Sequence, residues 1–223
     1  MKKTLSIVII ICSTIYSFAN STLYDQGLKC LEKNNIPKAI EIFKASSDNG
    51  NARAMYKLGL IYEKKEKKRK LAIQWYKKAK VNGNIKAKYN LGVLSCRMKT
   101  YNYLDDFEAY AKDSKKSVQY DLAVCFSEKG DIKKAIKWFK LAGEKGDVKA
   151  QYRVGTLLKN RKDKIKWLKK SAKNNHTEAQ FDLGKLLFKA QQLKKSKYWL
   201  RKAKKNGSRK ATVYLERMKE LGL

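Results

Sequence analysis

The chain has 223 residues, of which 53 are lysine or arginine and 20 are aspartate or glutamate, and its formal net charge is +33. A single proline leaves few helix breakers, which favours an all-α fold. The one histidine, His176, follows the Asn174-Asn175 turn without the partner residues that acid–base catalysis needs, so we interpret it as a solvent-facing turn residue. The sequence has no metal-ligand cluster, phosphate-binding glycine loop or nucleophile motif. We therefore predict no enzymatic activity, no cofactor and no metal.

The N-terminal residues have the pattern of a secretory signal. Two lysines precede an apolar run over residues 5–16, and the small residues Ser17 and Ala19 suit cleavage by signal peptidase. The run is shorter than the roughly 20 residues that a membrane-spanning helix needs. We predict a cleaved signal over residues 1–19, a mature domain over residues 20–223, and a periplasmic or secreted location. An uncleaved membrane anchor is the alternative.

From residue 23 onward, a two-part pattern returns about every 32 residues. In the first part a small residue leads a pair of the Leu-Gly type, and in the second part a Trp-containing pair precedes a turn. Apolar residues such as Ala54, Leu58 and Ile61 have the spacing of one helix face, so each repeat is predicted to form two antiparallel helices. The Leu-Gly-type pairs begin at Leu58, Leu91, Val154 and Leu183, the Trp pairs at Trp75, Trp138, Trp167 and Trp199, and the turns fall at Gly83, Gly146, Asn175 and Gly207.

Six repeats and a closing helix over residues 208–221 account for the remainder of the chain. The repeats cover residues 23–50, 51–83, 84–115, 116–146, 147–175 and 176–207. A glycine inside a first helix costs about 1 kcal/mol against alanine, so we expect the two helices to approach closely there. The first and third repeats depart most. Ile42-Phe43 replaces the Trp pair in the first repeat, as in a terminal cap, and Phe107 takes the Trp place beside a dense acidic group in the third. We expect these acids to cap, solubilise or salt-bridge within the basic chain: Asp105, Asp106 and Glu108.

The alanine that leads a Leu-Gly pair and the Trp-Tyr-x-x-Ala motif of the second helix resemble the Sel-one-like repeat, a relative of the tetratricopeptide repeat. The resemblance covers about residues 23–215. It implies a right-handed α-solenoid of about six antiparallel helix pairs with a C-terminal capping helix. It also implies a scaffold that holds partner proteins on a concave surface lined by the first helices. The residue three places after the leading position of each repeat varies in type. These variable residues are our candidates for partner binding: Lys57, Asn90, Asp121, Arg153 and Asp182.

Positive charge is the second strong pattern. Without residues 1–19 the chain keeps 51 basic and 20 acidic residues, a net charge of +31. On each second helix, four places around the Trp fall on one helical stripe, and stacking of repeats would align them. The resulting basic stripe consists of Lys133, Lys137, Lys140, Lys162, Lys166, Lys169, Lys173, Lys194, Arg201 and Lys205. It predicts an acidic partner, although the solvated outer face of the helices is the simpler alternative for any single lysine.

We predict a monomeric, secreted or periplasmic scaffold that binds another protein of acidic character and has no catalysis of its own. Two alternatives stay open. One is an envelope hydrolase acting on cell-wall or β-lactam substrates, which is implied only by cysteine-rich relatives. The other is a binder of an anionic glycan, an envelope polymer or lipid head groups. Nucleic acid is disfavoured, because the aromatic residues follow core spacing instead of forming base-stacking platforms.

Signal cleavage would leave three cysteines, Cys30, Cys96 and Cys125. Cys96 and Cys125 lie on first helices of adjacent repeats, which makes a bridge between them conceivable. In the alternative interpretation, Cys125 is a small core residue beside Phe126. The sequence alone leaves this choice open.

Overall fold

The fold is known from a computed structural model that describes residues 22–223, so the signal predicted over residues 1–19 lies outside the described residues. Between residues 22 and 223 the structure is helical and contains no strand. The prediction of an all-α fold is confirmed. The helices are α1 (22–32), α2 (Ile36–Asp48), α3 (Ala52–Lys64), α4 (Arg69–Val81), α5 (Ile85–Arg97), α6 (Leu104–Ala111), α7 (Lys116–Lys129), α8 (Ile132–Glu144), α9 (Val148–Leu157), α10 (Arg161–Lys173), α11 (Thr177–Lys189), α12 (Leu193–Lys205) and α13 (Arg209–Glu220).

The helices pack in chain order within two compact units. The N-terminal unit ends at Tyr110, and the C-terminal unit runs from Ala111 to Leu223. In the N-terminal unit, α3 packs against α2 and α4, and α4 packs against α5; in the C-terminal unit, each helix from α7 to α12 packs against the next. Consecutive packing of this kind is typical of helical solenoids, because each repeat contacts its neighbours in sequence.

The turns and caps explain where the helices end. The predicted turn residues Gly83, Asn175 and Gly207 all have left-handed backbone conformations, with φ of 87°, 61° and 87°. Directly after such turns a polar residue caps the next helix, as Asp147 does when its carboxylate accepts a hydrogen bond of 2.8 Å from the Ala150 amide. A side-chain cap of this kind satisfies an amide that would otherwise lack a partner at the start of the helix.

The glycines inside the first helices mark close helix approach, as expected. A Cβ atom added at Gly59 would lie 2.4 Å from the ring of Tyr76, and one at Gly184 would lie 2.7 Å from Leu200. Both partners are fully buried. The glycine therefore lets the first helix pack directly against the second residue of the Trp-containing pair in its own repeat.

The third repeat has the shortest second helix among α2–α13, since α6 has 8 residues. Phe107 fills the space beside Gly92 and is fully buried. Asp105 and Asp106 lie in the first turn of α6, where negative charge interacts favourably with the helix dipole. Asp106 also forms a salt bridge with Lys80 of the preceding repeat. The expectation that these acids salt-bridge within the basic chain is confirmed for Asp106.

The cysteines differ in chemical state. Cys96 in α5 and Cys125 in α7 are each disulfide-bonded, whereas Cys30 is a free thiol. Cys125 is also buried, with 2% of its surface exposed. Cys125 is therefore both a core residue and part of a disulfide bond.

Candidate functional site

The candidate partner-binding residues lie half-buried on the first helices, and each follows an aromatic residue. The spacing of the aromatic residues in the sequence indicates core packing, so these half-buried aromatic residues were missed. Their regular position, directly before each candidate in the repeat, could have identified them. In the second to sixth repeats the aromatic residues are Tyr56, Tyr89, Tyr120, Tyr152 and Phe181, and all are half-buried. A tyrosine half-exposed on a rigid helix presents an apolar ring and a hydroxyl together, which suits recognition.

Hydrogen bonds between neighbouring repeats fix two of the candidates. The Asn90 side-chain amide donates to the Tyr56 hydroxyl at 3.1 Å, and the Tyr152 hydroxyl donates to the Asp182 carboxylate at 3.0 Å. Burial, followed by the charge of Asp182, raises the pKa of Tyr152 to about 12. Asn90 and Asp182 thus stiffen the first-helix face in addition to any contact with a partner.

The other candidates have different surroundings. Arg153 places its guanidinium 5.7 Å from the centroid of the Phe139 ring, which is a cation–π geometry. Asp121 is half-buried on α7, and Lys57 lines a cleft in the N-terminal unit. The five candidates are therefore not equivalent, and Lys57 has the surroundings best suited to a ligand.

The N-terminal cleft encloses about 650 Å³ between α1, α3 and the start of α5. Its lining contains three cations and no carboxylate, and consists of Tyr24, Ala52, Arg53, Tyr56, Lys57, Gly83, Asn84, Ile85 and Lys86. Burial raises the pKa of Tyr24, while the nearby Arg53 charge opposes that shift. The first turns of α3 and α5 contain no acidic residue. Positive side chains thus line the cleft at the starts of two helices, which favours a bound anion.

A second cleft occupies the equivalent place in the C-terminal unit, with a volume of about 780 Å³. Glu178 and Asp182 line it together with Lys185, Arg209 and Lys210, so its charges are mixed. The two clefts occupy equivalent positions in the repeat. Of the two, the N-terminal cleft has no carboxylate in its lining, and the C-terminal cleft has two.

His176 has a structural role beside the second cleft. Its Nδ1 accepts a hydrogen bond from the Ala179 amide at 3.3 Å, which caps α11. The imidazole also stacks on the Tyr152 ring with centroids 4.7 Å apart, and 17% of the side chain is exposed. The interpretation of His176 as a solvent-facing residue is wrong, because the cap and the stacking hold the ring against the protein.

The basic stripe lies on α8, α10 and α12. Lys140 is half-buried and the other nine stripe residues are exposed. The helices that carry the stripe are themselves basic, since α12 has seven lysines or arginines and no acid, and α10 has seven and one aspartate. The Trp residues beside the stripe pack inward, because Trp138, Trp167 and Trp199 are each less than a tenth exposed.

Residues 22–223 contain no group of three or more His, Cys, Asp or Glu residues that could hold a metal ion. Within the same range, no helix combines the length and the apolar character needed to cross a bilayer.

Helix pairs packed in chain order, with candidate interaction residues repeated on the first helices, define a tandem-repeat protein of the α-solenoid class. The Sel1 repeat family model matches residues 116–147, 165–176 and 177–208, and a tetratricopeptide repeat model matches residues 24–84. The chain is a Sel1-like and tetratricopeptide-like repeat protein, as the resemblance implied. This family supports a role as a scaffold for protein–protein interaction.

Solved structures share this fold. A Sel1 repeat protein from Oxalobacter formigenes superposes with a TM-score of 0.67 at 21% identity over 82% of this chain, which spans 59% of that protein. PilF of Pseudomonas aeruginosa gives a TM-score of 0.61 at 15% identity, covering 91% of this chain and 99% of that one. YrrB, a tetratricopeptide repeat protein, gives 0.53 at 15% identity, covering 87% and 90%. Comparison with curated proteins found no match.

Proposed function

We propose that the protein is a secreted or periplasmic scaffold that binds an acidic segment of a partner protein and performs no catalysis itself. The observation that carries the proposal is the N-terminal cleft, which has three cations and no carboxylate in its lining. YrrB, which shares the fold, is described as having an unusual peptide-binding site. That description supports peptide binding as a use to which this fold can be put.

The cleft offers three kinds of contact to a carboxylate. Arg53 can form a bidentate pair, and the ammonium groups of Lys57 and Lys86 can donate further charged hydrogen bonds. Tyr56 accepts from Asn90, which leaves its own hydroxyl proton to donate. An extended acidic segment crossing the first-helix face would therefore meet donors in the cleft and aromatic rings beside it.

The net charge of the chain favours the same kind of partner over longer distances. A strongly positive protein accelerates encounter with an acidic one, and this attraction weakens as salt screens it. Binding to the cleft should therefore depend steeply on ionic strength.

The test measures binding of a fluorescent glutamate-rich peptide, with its glutamine counterpart as the neutral control. The triple variant Arg53→Gln, Lys57→Gln and Lys86→Gln should raise the Kd about a hundredfold, since three charged contacts of about 1 kcal/mol each are lost. The matched control Lys29→Gln, Lys33→Gln and Lys44→Gln removes the same charge from exposed sites of the same unit. Equal weakening by both variants would show that net charge, and not the cleft, holds the peptide.

A further inference from the structure

The positive charge of the protein is concentrated in the C-terminal unit. Residues 111–223 contain 32 basic and 11 acidic residues, a net charge of +21, whereas residues 22–110 have 19 and 9, a net charge of +10. The N-terminal cleft lies in the less charged unit. The basic stripe is therefore a second charged surface, separate from the proposed peptide site.

Folding alone does not account for the stripe cations. Basic residues in the last turn of α12 interact favourably with the helix dipole, but Lys194 and Lys195 lie at its start, where positive charge is unfavourable and no acid compensates. Lys166, Lys169 and Arg201 are exposed and form no ion pair in the part of the chain that the structure describes. The cations of α12 thus repel one another with no acidic residue on the same helix.

The chemistry of this surface suits an anionic bilayer better than a protein. Apart from Tyr198, every exposed residue of α12 is lysine or arginine. The surface therefore presents positively charged hydrogen-bond donors and few of the aromatic side chains that stabilise a protein interface. Lysine is depleted from protein interfaces, whereas basic residues are attracted to anionic lipid surfaces. Tyr198 is 51% exposed in the middle of the stripe, and tyrosine is favoured at the level of lipid head groups.

The Trp rings beside the stripe are too buried for nucleic-acid bases to stack on them. Trp167 and Trp199 are 7% and 8% exposed, and the ammonium groups of Lys170 and Lys202 lie 4.5 Å and 5.6 Å from their ring centroids. Single-stranded nucleic acid binds by stacking bases on exposed aromatic rings. Binding by this mode would require both Trp rings to leave the core.

The stripe helices are the second helices of three consecutive repeats within the C-terminal unit. α9 packs against α8 and α10, and α11 packs against α10 and α12, so a single first helix separates each stripe helix from the next. The stripe residues extend roughly 17 Å along each helix at 1.5 Å per residue. The exposed cations therefore recur over three neighbouring helices, as contact with a bilayer requires.

We propose that the basic stripe of α8, α10 and α12 attaches the protein to a bilayer surface that contains anionic phospholipid. Lysine and arginine side chains contact the phosphates, and Tyr198 inserts its ring among the head groups. No residue of the stripe lines either cleft.

The test is co-sedimentation of the purified protein with vesicles of phosphatidylcholine alone or of phosphatidylcholine and phosphatidylglycerol in equal parts. The stripe variant carries Lys166→Gln, Lys169→Gln, Arg201→Gln and Lys205→Gln. The matched control removes four exposed lysines of the N-terminal unit, as Lys29→Gln, Lys33→Gln, Lys44→Gln and Lys99→Gln. Binding should require phosphatidylglycerol, and the stripe variant, which loses four contacts of about 1 kcal/mol each, should bind on the order of a thousandfold more weakly than the control variant.

Three results would overturn the proposal: sedimentation without phosphatidylglycerol, equal loss in both variants, or tighter binding to a DNA duplex than to anionic vesicles at the same salt. Circular dichroism checks that each variant keeps its helices. The cleft variant Arg53→Gln, Lys57→Gln and Lys86→Gln should sediment like its own three-lysine control. Failure of the peptide proposal and failure of the bilayer proposal are therefore separate observations.

Discussion

Substitution of Gly59 by alanine tests the close helix approach on which the repeat packing depends. The new Cβ would lie 2.4 Å from two ring atoms of Tyr76, whereas carbon atoms pack at about 3.5–4.0 Å. The ring has little freedom to move, because it is fully buried and its hydroxyl donates to Glu63 at 2.7 Å. Arg97 holds the same Glu63 carboxylate at 3.1 Å. Relief of the clash therefore requires the two helices to separate.

The magnitude follows from two opposing terms. Overpacking costs about 1–3 kcal/mol, and replacing a helical glycine by alanine recovers about 1 kcal/mol. We expect Gly59→Ala to lower the free energy of unfolding by up to about 2 kcal/mol and the Tm by up to about 8 °C. Urea and thermal unfolding followed by circular dichroism measure this change.

A double-mutant cycle with Tyr76→Ala supplies the control. Once the ring is absent, the clash disappears, and Gly59→Ala should be neutral or stabilising by about 1 kcal/mol. A rise in stability for Gly59→Ala in the parent protein would refute the packing account, because helix propensity would then outweigh any steric cost.

Three further predictions concern buried polar groups, tyrosine ionisation and cysteine chemistry. Gln151→Ala should destabilise the protein by about 1–3 kcal/mol in urea unfolding, because its buried amide donates at 2.9 Å to the last turn of α8; the exposed Gln74→Ala should change stability by less than about 0.5 kcal/mol. The folded-state pKa of Tyr152, about 12, is above the ordinary value of 10.0, so its contribution to stability is complete below pH 10.0 and is lost as the pH rises towards about 12. Tyr152→Phe should lessen that alkaline loss, and ultraviolet titration of tyrosinate in the parent protein should show a correspondingly late ionisation. Without reductant, thiol labelling and peptide mapping should find Cys30 reactive and disulfides at Cys96 and Cys125; labelling of all three would contradict the structure.

The repeat register predicts most of the fold because it encodes local physics. The turn at Gly83 has a left-handed backbone, and the ring of Tyr76 occupies the space that a side chain at position 59 would need. Both positions therefore favour glycine, and the glycines can be recognised in the sequence. The helix pairs and their order follow from the same register. The short α6 was not predicted, because Phe107 keeps the aromatic place even though the helix around it has 8 residues.

The candidate site was only partly predictable. Gln151 and Gln180 each donate to a carbonyl eight residues earlier, across an interhelix turn, and no helical periodicity reports such a bond. Tyrosines at helical spacing give the same pattern whether they fill the core or border a cleft. The charge of the N-terminal cleft likewise depends on which side chains from three helices converge, and Lys57 alone was identified from its register position.

The most direct test of the central claim is affinity capture from the cell envelope of the source organism, with washes of increasing salt. The parent protein should retain an acidic protein that is released as salt rises, and the three-lysine control should retain it too. The cleft variant Arg53→Gln, Lys57→Gln and Lys86→Gln should lose it at the lowest salt. A partner that stays bound to the cleft variant, or that resists high salt in the parent protein, would contradict the proposed function.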